Sequence, residues 1–337
     1  IQTAAPGLAI SETLPGIARH MDKLTVLRNI TSTEGEHIRA QYFLHTGYPL
    51  VPGFPRPGLG AVVSHETPPT EFPRYVTVGS RGIGPAYMGP DHAPFSIENP
   101  AEALELLRSI RRRRSRIRLL QTLGGEFDAE HEATMLKRRH SMISRIEALV
   151  TTPFVDALNL ELETRSVRER YGQEEFGQGC LLARRLLETG VNFVEVRHDG
   201  WDTHVNNFSN VRDLCQAIDK PWSALMEDLD SSGLLDETLV IWMGEFGRTP
   251  RINANRGRDH FPRVTPAVIG GAGLAGGKAI GQTNKSGSEI DGPSYSVADL
   301  FATIFQAMGI DPAHEFQTEF ESPTPATDGG VVIKELI

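Results

Sequence analysis

The 337-residue chain is poor in cysteine and aromatic residues and has no long apolar run. Its two cysteines, Cys180 and Cys215, lie far apart within segments of helical periodicity, so they cannot form the C-x-x-C unit of a redox or metal centre. We expect two buried thiols, with a disulfide as the alternative. No stretch reaches the roughly 18 uncharged apolar residues of a membrane helix. The sequence therefore predicts that the chain does not span a bilayer.

Common motifs of nucleotide binding and nucleophilic catalysis are also missing. The glycine-rich segment 270–278 does not fit the phosphate loop G-x-x-x-x-G-K-[ST], because Lys278 is followed by Ala279. We expect it to form a turn after a strand. There is no G-x-S-x-G nucleophile elbow, and neither cysteine has the flanking residues of a catalytic thiol.

Positive charge is in deficit, with 34 lysines and arginines against 43 aspartates and glutamates and a net charge of −9. This balance argues against a nucleic-acid partner or an anionic membrane surface, since both need a positive field. Two basic runs, at 111–114 and 137–140, suggest either a phosphate-binding track or a solvated helix face. We favour the helix face, because acidic residues such as Glu102, Glu105 and Asp128 lie nearby in sequence.

Strand and helix patterns alternate at both ends of the chain. Strands are predicted at 23–30, 74–78, 191–196, 238–243 and 265–270, and helices at 14–21, around 40–44, at 211–229 and at 297–308. Such alternation is typical of an α/β fold with a mostly parallel sheet and helices on both faces. We expect one domain over 1–337, with the helix-rich stretch 99–190 as a helical insertion.

Three loops beside predicted strands concentrate carboxylates and imidazoles. They contain the sequences GWDTH at 200–204, GEFGRTP at 244–250 and GRDHFP at 257–262. Because loops at the carboxyl ends of parallel strands meet at one edge of a sheet, we expect these loops to converge. Carboxylates and neutral imidazoles bind Zn²⁺, Mn²⁺ or Fe²⁺, and an arginine fork such as Arg248 suits an anionic substrate group. The predicted metal ligands are Asp199, Asp202, His204, Glu245, Asp259 and His260.

Taken in this order, the three motifs resemble the alkaline phosphatase and sulfatase superfamily, and more narrowly a bacterial branch of sulfatase-like proteins of unknown function. The resemblance extends to TEGEH at 33–37 and covers nearly the whole chain. It implies an alkaline-phosphatase-like fold whose metal site uses Asp202 or Asp199, His204 and His260. The superfamily's second metal site uses an Asp-His pair, and here Glu245 stands in the place of the Asp and Phe246 in the place of the His. It also uses an Asp at the end of the first strand, and the resemblance implies that this strand precedes the given sequence.

The resemblance also bears on the nucleophile and the setting. It places the nucleophile after the strand at 24–30, at Thr31, Ser32, Thr33 or His37. The formylglycine motif C-x-P-x-R is missing, which excludes that sulfatase mechanism. Export signals are usual in the branch, so a periplasmic or secreted protein is implied.

The leading hypothesis is a metal-dependent hydrolase of phosphate or sulfate esters, acting on a small-molecule or glycan substrate at the carboxyl edge of the sheet. The expected cofactor is a divalent metal, Zn²⁺ first, with Mn, Fe or Ca as alternatives. The predicted catalytic residues are Thr33, His37, Glu245 and Arg248. The alternatives are a catalytically inactive metal-binding or scaffold protein of the same fold, and a phosphoryl transferase or mutase.

Overall fold

A computed structural model of the protein describes residues 1–113, 115, 149–150, 152–318 and 323–337. Helices and strands alternate through this part of the chain, so the predicted α/β class is confirmed. None of the helices in the described ranges is both long enough and apolar enough to cross a bilayer. The helices are α1 (His37–Thr46), α2 (Leu59–Glu66), α3 (Pro100–Arg112), α4 (Pro153–Ala157), α5 (Arg165–Tyr171), α6 (Glu175–Glu188), α7 (Asn207–Ser231) and α8 (Val297–Ala307).

The strands fall into two main sheets and several two-stranded ladders. They are β1 (Leu24–Leu27), β2 (Ile30–Thr31), β3 (Tyr75–Val78), β4 (Phe95–Ile97), β5 (Phe193–Val196), β6 (Val240–Met243), β7 (Gly247–Arg248), β8 (His260–Phe261), β9 (Ala267–Gly270), β10 (Lys278–Ile280), β11 (Tyr295–Ser296), β12 (Glu315–Gln317) and β13 (Pro323–Pro325). One sheet has the order β10-β1-β9-β6 and the other β4-β3-β5. The ladders are β2 with β11, β7 with β8, and β12 with β13.

The strand directions differ from the single, mostly parallel sheet that the sequence suggested. β4-β3-β5 is parallel throughout, but β9 runs antiparallel to both of its neighbours, β1 and β6. In this sheet β9 follows β6 along the chain, and the connection between them, residues 244–266, contains the β7–β8 ladder but no helix. Parallel neighbours are usually joined by a helical crossover, which is not present here. The described strands therefore form mixed sheets.

The four-stranded sheet is covered by helices on both faces, as predicted. Side chains along each strand point alternately to opposite faces. Leu27 and Ile269 pack in a core with α1, α2 and α8, whereas Leu24 and Val268 pack on the other side with α7 and the N-terminal segment. Trp222 of α7 contacts Trp242 of β6 edge to face, with the ring centroids 4.6 Å apart. The two ends of the chain thus share one sheet.

The region 99–190 is helical where it is described, and α3, α4 and α6 bury apolar side chains against β3 and β4. Arg111 to Arg113 are exposed, and Arg112 Nη2 lies 2.5 Å from Glu105 Oε1, as expected for a solvated helix face. Arg114, Asp128 and the second basic run at 137–140 lie outside the described residues. Cys180 and Cys215 are buried free thiols.

Two predicted elements near the N-terminus are shorter than expected. The helix predicted at 14–21 is a 3-10 helix at Ile17–His20, because Asp219 of α7 accepts hydrogen bonds from the backbone N–H groups of Gly16 and Ile17 and fixes where it starts. The strand predicted at 23–30 is divided into β1 and β2. The glycine-rich segment forms the expected turn, with Gly271 at φ +77°.

Candidate metal centre

Four segments meet at one edge of the fold and bring their polar side chains together. α1 begins at His37, where Glu36 caps the helix by accepting hydrogen bonds from the backbone N–H groups of its first turn. The loop after β5 carries Asp202 and His204. The β7–β8 ladder pairs Arg248 with His260. The strand-end loops therefore converge, although their strands belong to different sheets.

Two glycines permit the close packing of these loops. A Cβ atom on Gly257 would lie 1.8 Å from the carbonyl oxygen of His204, and one on Gly247 would lie 1.8 Å from the carbonyl oxygen of Val264. Backbone atoms cannot move aside as flexible side chains can, so any other residue at either position would displace a loop. Gly257 therefore sets the approach of the GRDHFP loop to the GWDTH loop.

At the centre, three imidazoles surround the carboxylate of Asp202. Its Oδ1 lies 3.1 Å from His204 Nε2 and 3.2 Å from His260 Nε2, and the two Nε2 atoms are 3.0 Å apart. Its Oδ2 lies 3.4 Å from His37 Nε2. His37, Asp202 and His260 each offer one donor atom within 4.8 Å of the others, as a shared metal ion requires.

The outer nitrogen of each imidazole is held by an acceptor. Nδ1 of His37 lies 2.5 Å from Glu245 Oε1, and Nδ1 of His204 lies 2.8 Å from Asp259 Oδ1. Nδ1 of His260 lies 2.7 Å from the carbonyl oxygen of Gly35. Carboxylates and carbonyls only accept, so each of these three contacts is satisfied when Nδ1 carries a hydrogen. Since Asp202 also only accepts, its contact with His260 Nε2 needs a hydrogen on that nitrogen. A metal ion bound at Nε2 would take the place of that hydrogen.

This cluster has the chemistry and the spacing of a cation site. The two oxygens of Asp202 lie 3.1–3.4 Å from the three Nε2 atoms, and the Nε2 atoms of His204 and His260 are 3.0 Å apart. These four separations are close to the value of about 3.3 Å for ligands of a tetrahedral site with metal bonds of about 2.05 Å. With neutral imidazoles, the three carboxylates of Asp202, Glu245 and Asp259 and the guanidinium of Arg248 sum to −3 + 1 = −2. One divalent cation balances that charge. The outer acceptors match the carboxylate and carbonyl partners that orient metal-bound histidines.

Arg248 reaches the same carboxylate from the other side. Its Nη2 lies 2.6 Å from Asp202 Oδ1, and its guanidinium lies over the ring of Phe246, with Cζ 5.4 Å from the centroid. Partial burial opposes ionisation of Asp202. Hydrogen bonds from Arg248 and His260 and the charge of Arg248 outweigh it and lower the pKa of Asp202 to about 2. Asp202 is therefore an anion at neutral pH.

Two of the predicted site residues lie apart from the cluster. The Asp199 side chain is 72% exposed and pairs with Arg197, with Oδ1 2.7 Å from Nε. Thr33 is exposed on the loop before α1, and His37 is the residue of that loop that reaches the centre. The structure brings together the remaining predicted residues, namely His37, Asp202, His204, Glu245, Arg248, Asp259 and His260.

Three supporting residues were not found by sequence reasoning. Asn253 donates from Nδ2 to the carbonyl oxygen of His204 and to Asp259 Oδ1, at 3.1 and 2.9 Å. Thr249 Oγ1 accepts from the backbone N–H of Asp259. Phe246 is buried, with its ring 4.2 Å from that of His260. The sequence signals are weak: Thr249 lies within the GEFGRTP motif, and Asn253 lies between that motif and GRDHFP.

Glu245 is the most enclosed carboxylate of the cluster. Its side chain is 20% exposed, and Oε2 is buried without a hydrogen-bond partner, while Oε1 binds His37. A buried acceptor of this kind is costly unless a ligand or solvent molecule satisfies it. The side of His37 that faces Glu245 is thus polar and partly enclosed.

The family model described as "Protein of unknown function (DUF1501)" matches residues 1–337. The match is to this family and not to a sulfatase or alkaline phosphatase family, so the superfamily membership inferred from GWDTH, GEFGRTP and GRDHFP is wrong. Short motifs rich in His, Asp and Glu can occur in any polar loop at the end of a strand, so they do not establish common ancestry. A comparison with curated proteins gives no match. Over its whole length, the chain belongs to the DUF1501 family.

Proposed function

We propose that this protein is a metal-dependent hydrolase of an anionic ester, a phosphate or a sulfate. The observation that carries the proposal is the convergence of three imidazole Nε2 atoms on Asp202, with an arginine at the same carboxylate. A purely structural ion-pair network would not need all three outer nitrogens anchored by acceptors. The combination of a cation site and a guanidinium suits an ester that carries negative charge.

In this proposal, one Zn²⁺ ion is held by His37, Asp202, His204 and His260. Three imidazoles and one carboxylate are a ligand set that zinc accepts in tetrahedral geometry. Glu245 and Asp259 orient His37 and His204 from their outer nitrogens, and the Gly35 carbonyl orients His260. The ion would act as a Lewis acid toward the ester and toward the attacking water.

Arg248 is assigned the anionic group of the ester. Its guanidinium contacts Asp202 Oδ1, the same oxygen that faces His204 and His260. A cation held by that oxygen would replace Arg248 as the partner of Asp202, and would free the guanidinium to bind the phosphate or sulfate through paired N–H donors. Arg248 also donates to the carbonyl oxygen of Arg258, which keeps the guanidinium at the site.

Water is the proposed nucleophile. Within the described ranges, no hydroxyl or thiol side chain lies within hydrogen-bond distance of the side chains of His37, Asp202, His204 or His260. Thr33 is exposed and outside the cluster. Direct attack by water leads to hydrolysis, whereas a phosphoryl transferase with an intermediate on Ser, Thr or Cys would need a hydroxyl or thiol at the centre.

The test combines metal content with turnover. We expect protein purified without chelators to contain one divalent ion per chain by inductively coupled plasma mass spectrometry, and to hydrolyse p-nitrophenyl phosphate, bis(p-nitrophenyl) phosphate or p-nitrophenyl sulfate. His204→Ala and His260→Ala should lose both properties. His314→Ala, an exposed histidine elsewhere in the chain, is the matched control and should retain both.

Two outcomes would contradict the proposal. Full metal content in both His204→Ala and His260→Ala would refute the ligand set. A metal-loaded protein that hydrolyses none of the three esters would show a metal-binding protein without this activity.

A further inference from the structure

The segment that forms much of the metal centre is strongly basic, although the chain is acidic. Residues 245–263 contain five arginines and two acidic residues, Glu245 and Asp259, a local charge of +5 − 2 = +3. The chain as a whole carries −9, so everything outside this segment sums to −9 − 3 = −12. Positive charge is therefore concentrated beside the cluster.

Two of the five arginines have partners that fix them. Arg248 pairs with Asp202. Arg258 donates from Nη1 to the carbonyl oxygens of Thr249 and Pro250, and its guanidinium lies over the ring of Phe208, with Cζ 5.9 Å from the centroid. These two side chains are occupied within the protein.

The other three arginines, Arg251, Arg256 and Arg263, are exposed. In the part of the chain that the structure describes, none of them has an acidic side chain within 4.0 Å. No neighbouring carboxylate therefore neutralises their charge, which leaves it available to an anion from solution.

All three are attached to the residues that build the centre. Arg256 forms a β-bridge with Val205, the residue after His204. The carbonyl oxygen of Arg251 accepts from Thr249 Oγ1, and Thr249 in turn binds the backbone of Asp259. Arg263 follows β8. The three arginines therefore belong to the loops that border the candidate metal centre.

Arg256 also has a strained backbone. Its φ is +59°, in the left-handed region that favours glycine or asparagine. The turn is held by Asn253 Oδ1, which accepts from the backbone N–H groups of Asn255 and Gly257, both at 2.9 Å. Glycine or asparagine would adopt this φ with less strain, and a role for the Arg256 guanidinium accounts for an arginine at this position.

We infer that Arg251, Arg256 and Arg263 form an anion-binding rim that holds further sulfate or phosphate groups of the substrate. The identification of the bound molecule as a substrate rests on the proposed function. The substrate class is then a short oligoanion with two or more such groups, one at the metal centre and the others on the rim. A long polyanion such as a nucleic acid fits less well, because it would extend beyond the basic segment toward the rest of a chain whose net charge is −12.

The rim is tested by calorimetric binding of tripolyphosphate and of a fully sulfated disaccharide, with orthophosphate and the unsulfated disaccharide as reference ligands. Both multiply charged probes should bind more tightly than their references. The triple variant Arg251→Gln/Arg256→Gln/Arg263→Gln should weaken their binding by roughly tenfold, with unchanged metal content. The probe that binds more tightly identifies the anion as phosphate or sulfate.

A second triple variant removes the same charge elsewhere: Arg111→Gln/Arg113→Gln/Lys334→Gln, all exposed. It should bind the probes as the wild type does. Equal loss in both triple variants, or unchanged binding in the rim variant, would overturn the inference, as would tighter binding of a single-stranded oligonucleotide than of either probe. If the rim binds oligoanions but no ester is hydrolysed, the proposed function fails and the binding surface stands.

Discussion

Replacing Asp259 by asparagine isolates the contribution of an outer carboxylate to metal binding. Asp259 Oδ1 lies 2.8 Å from His204 Nδ1 and accepts from Asn253 Nδ2 at 2.9 Å. The negative charge fixes the hydrogen on Nδ1 and strengthens Nε2 as a donor to a metal. Asparagine keeps the shape but removes that charge. We expect the Zn²⁺ dissociation constant to rise by about 10- to 100-fold, the range found for outer partners of metal-bound histidines.

The assay is competition for Zn²⁺ against a chromophoric chelator at neutral pH. Asp199→Asn is the matched control, because Asp199 lies in the same loop as two ligands but is exposed and pairs with Arg197. It should bind Zn²⁺ as the wild type does. Since Asp259 is itself exposed, Asp259→Asn should unfold at the same temperature as the wild type in the absence of metal. Wild-type affinity in Asp259→Asn, or equal weakening by both substitutions, would refute the assignment of Asp259 to the outer shell.

Three further predictions concern the scaffold. Glu163 and Arg184 form a mostly enclosed ion pair, with Glu163 Oε1 2.6 Å from Arg184 Nη2. Burial opposes ionisation of Glu163, but Arg184 and Arg185 outweigh it and hold the pKa of Glu163 below its usual value. Glu163→Gln should therefore lower the free energy of unfolding by about 3 kcal/mol at pH 7, and denaturant titrations should show this difference shrinking as the pH falls through the folded pKa. Phe301→Ala empties a fully buried position under β1 and should cost about 3–5 kcal/mol in the same titrations, with a smaller loss contradicting its place in the core. Burial lowers the pKa of His45, but Glu195, 3.5 Å away, outweighs burial and raises that pKa. His45→Gln should therefore destabilise the protein below about pH 6.5, and this destabilisation should disappear as the pH rises through the folded pKa of His45. A destabilisation that grows with pH would contradict the raised pKa.

The sequence identifies most of the residues at the centre because these His, Asp, Glu and Arg residues lie in loops beside strands that can be predicted from their apolar pattern. The apolar runs that become β5 and β6 each end in a loop with charged side chains. Helix packing on both sides of a sheet requires such loops to gather at its ends. That reasoning holds for Asp202, His204 and His260 even though β5 and β6 lie in different sheets.

The roles of these residues could not be predicted because they depend on which atom of a side chain faces inward. Asp199 and Asp202 differ by three positions in one loop, and the tertiary packing of that loop, including Gly257 against the His204 carbonyl, determines which carboxylate points to the centre. Similarly, the Gly35 carbonyl fixes the His260 ring, yet a backbone acceptor leaves no trace in a residue pattern. The direction of β9 was missed because hydrophobic alternation is the same for parallel and antiparallel strands.

The contacts that build the centre explain how so many donors can be held together. The Nε2 atoms of His204 and His260 lie 3.0 Å from each other and 3.1–3.2 Å from Asp202 Oδ1. When they carry lone pairs, as a metal ligand does, this arrangement costs free energy unless a cation is present. The arrangement is imposed by neutral contacts outside the cluster: Asn253 on the His204 carbonyl, Gly257 against the same residue, and the Gly35 carbonyl on His260. Such contacts do not depend on ionisation or salt, so they position the donors before an ion arrives. A site formed in this way lowers the free energy of unfolding in exchange for a fixed arrangement of ligand atoms. That loss of stability is expected of a functional metal centre, whereas an ion-pair network that stabilises the fold would raise the free energy of unfolding.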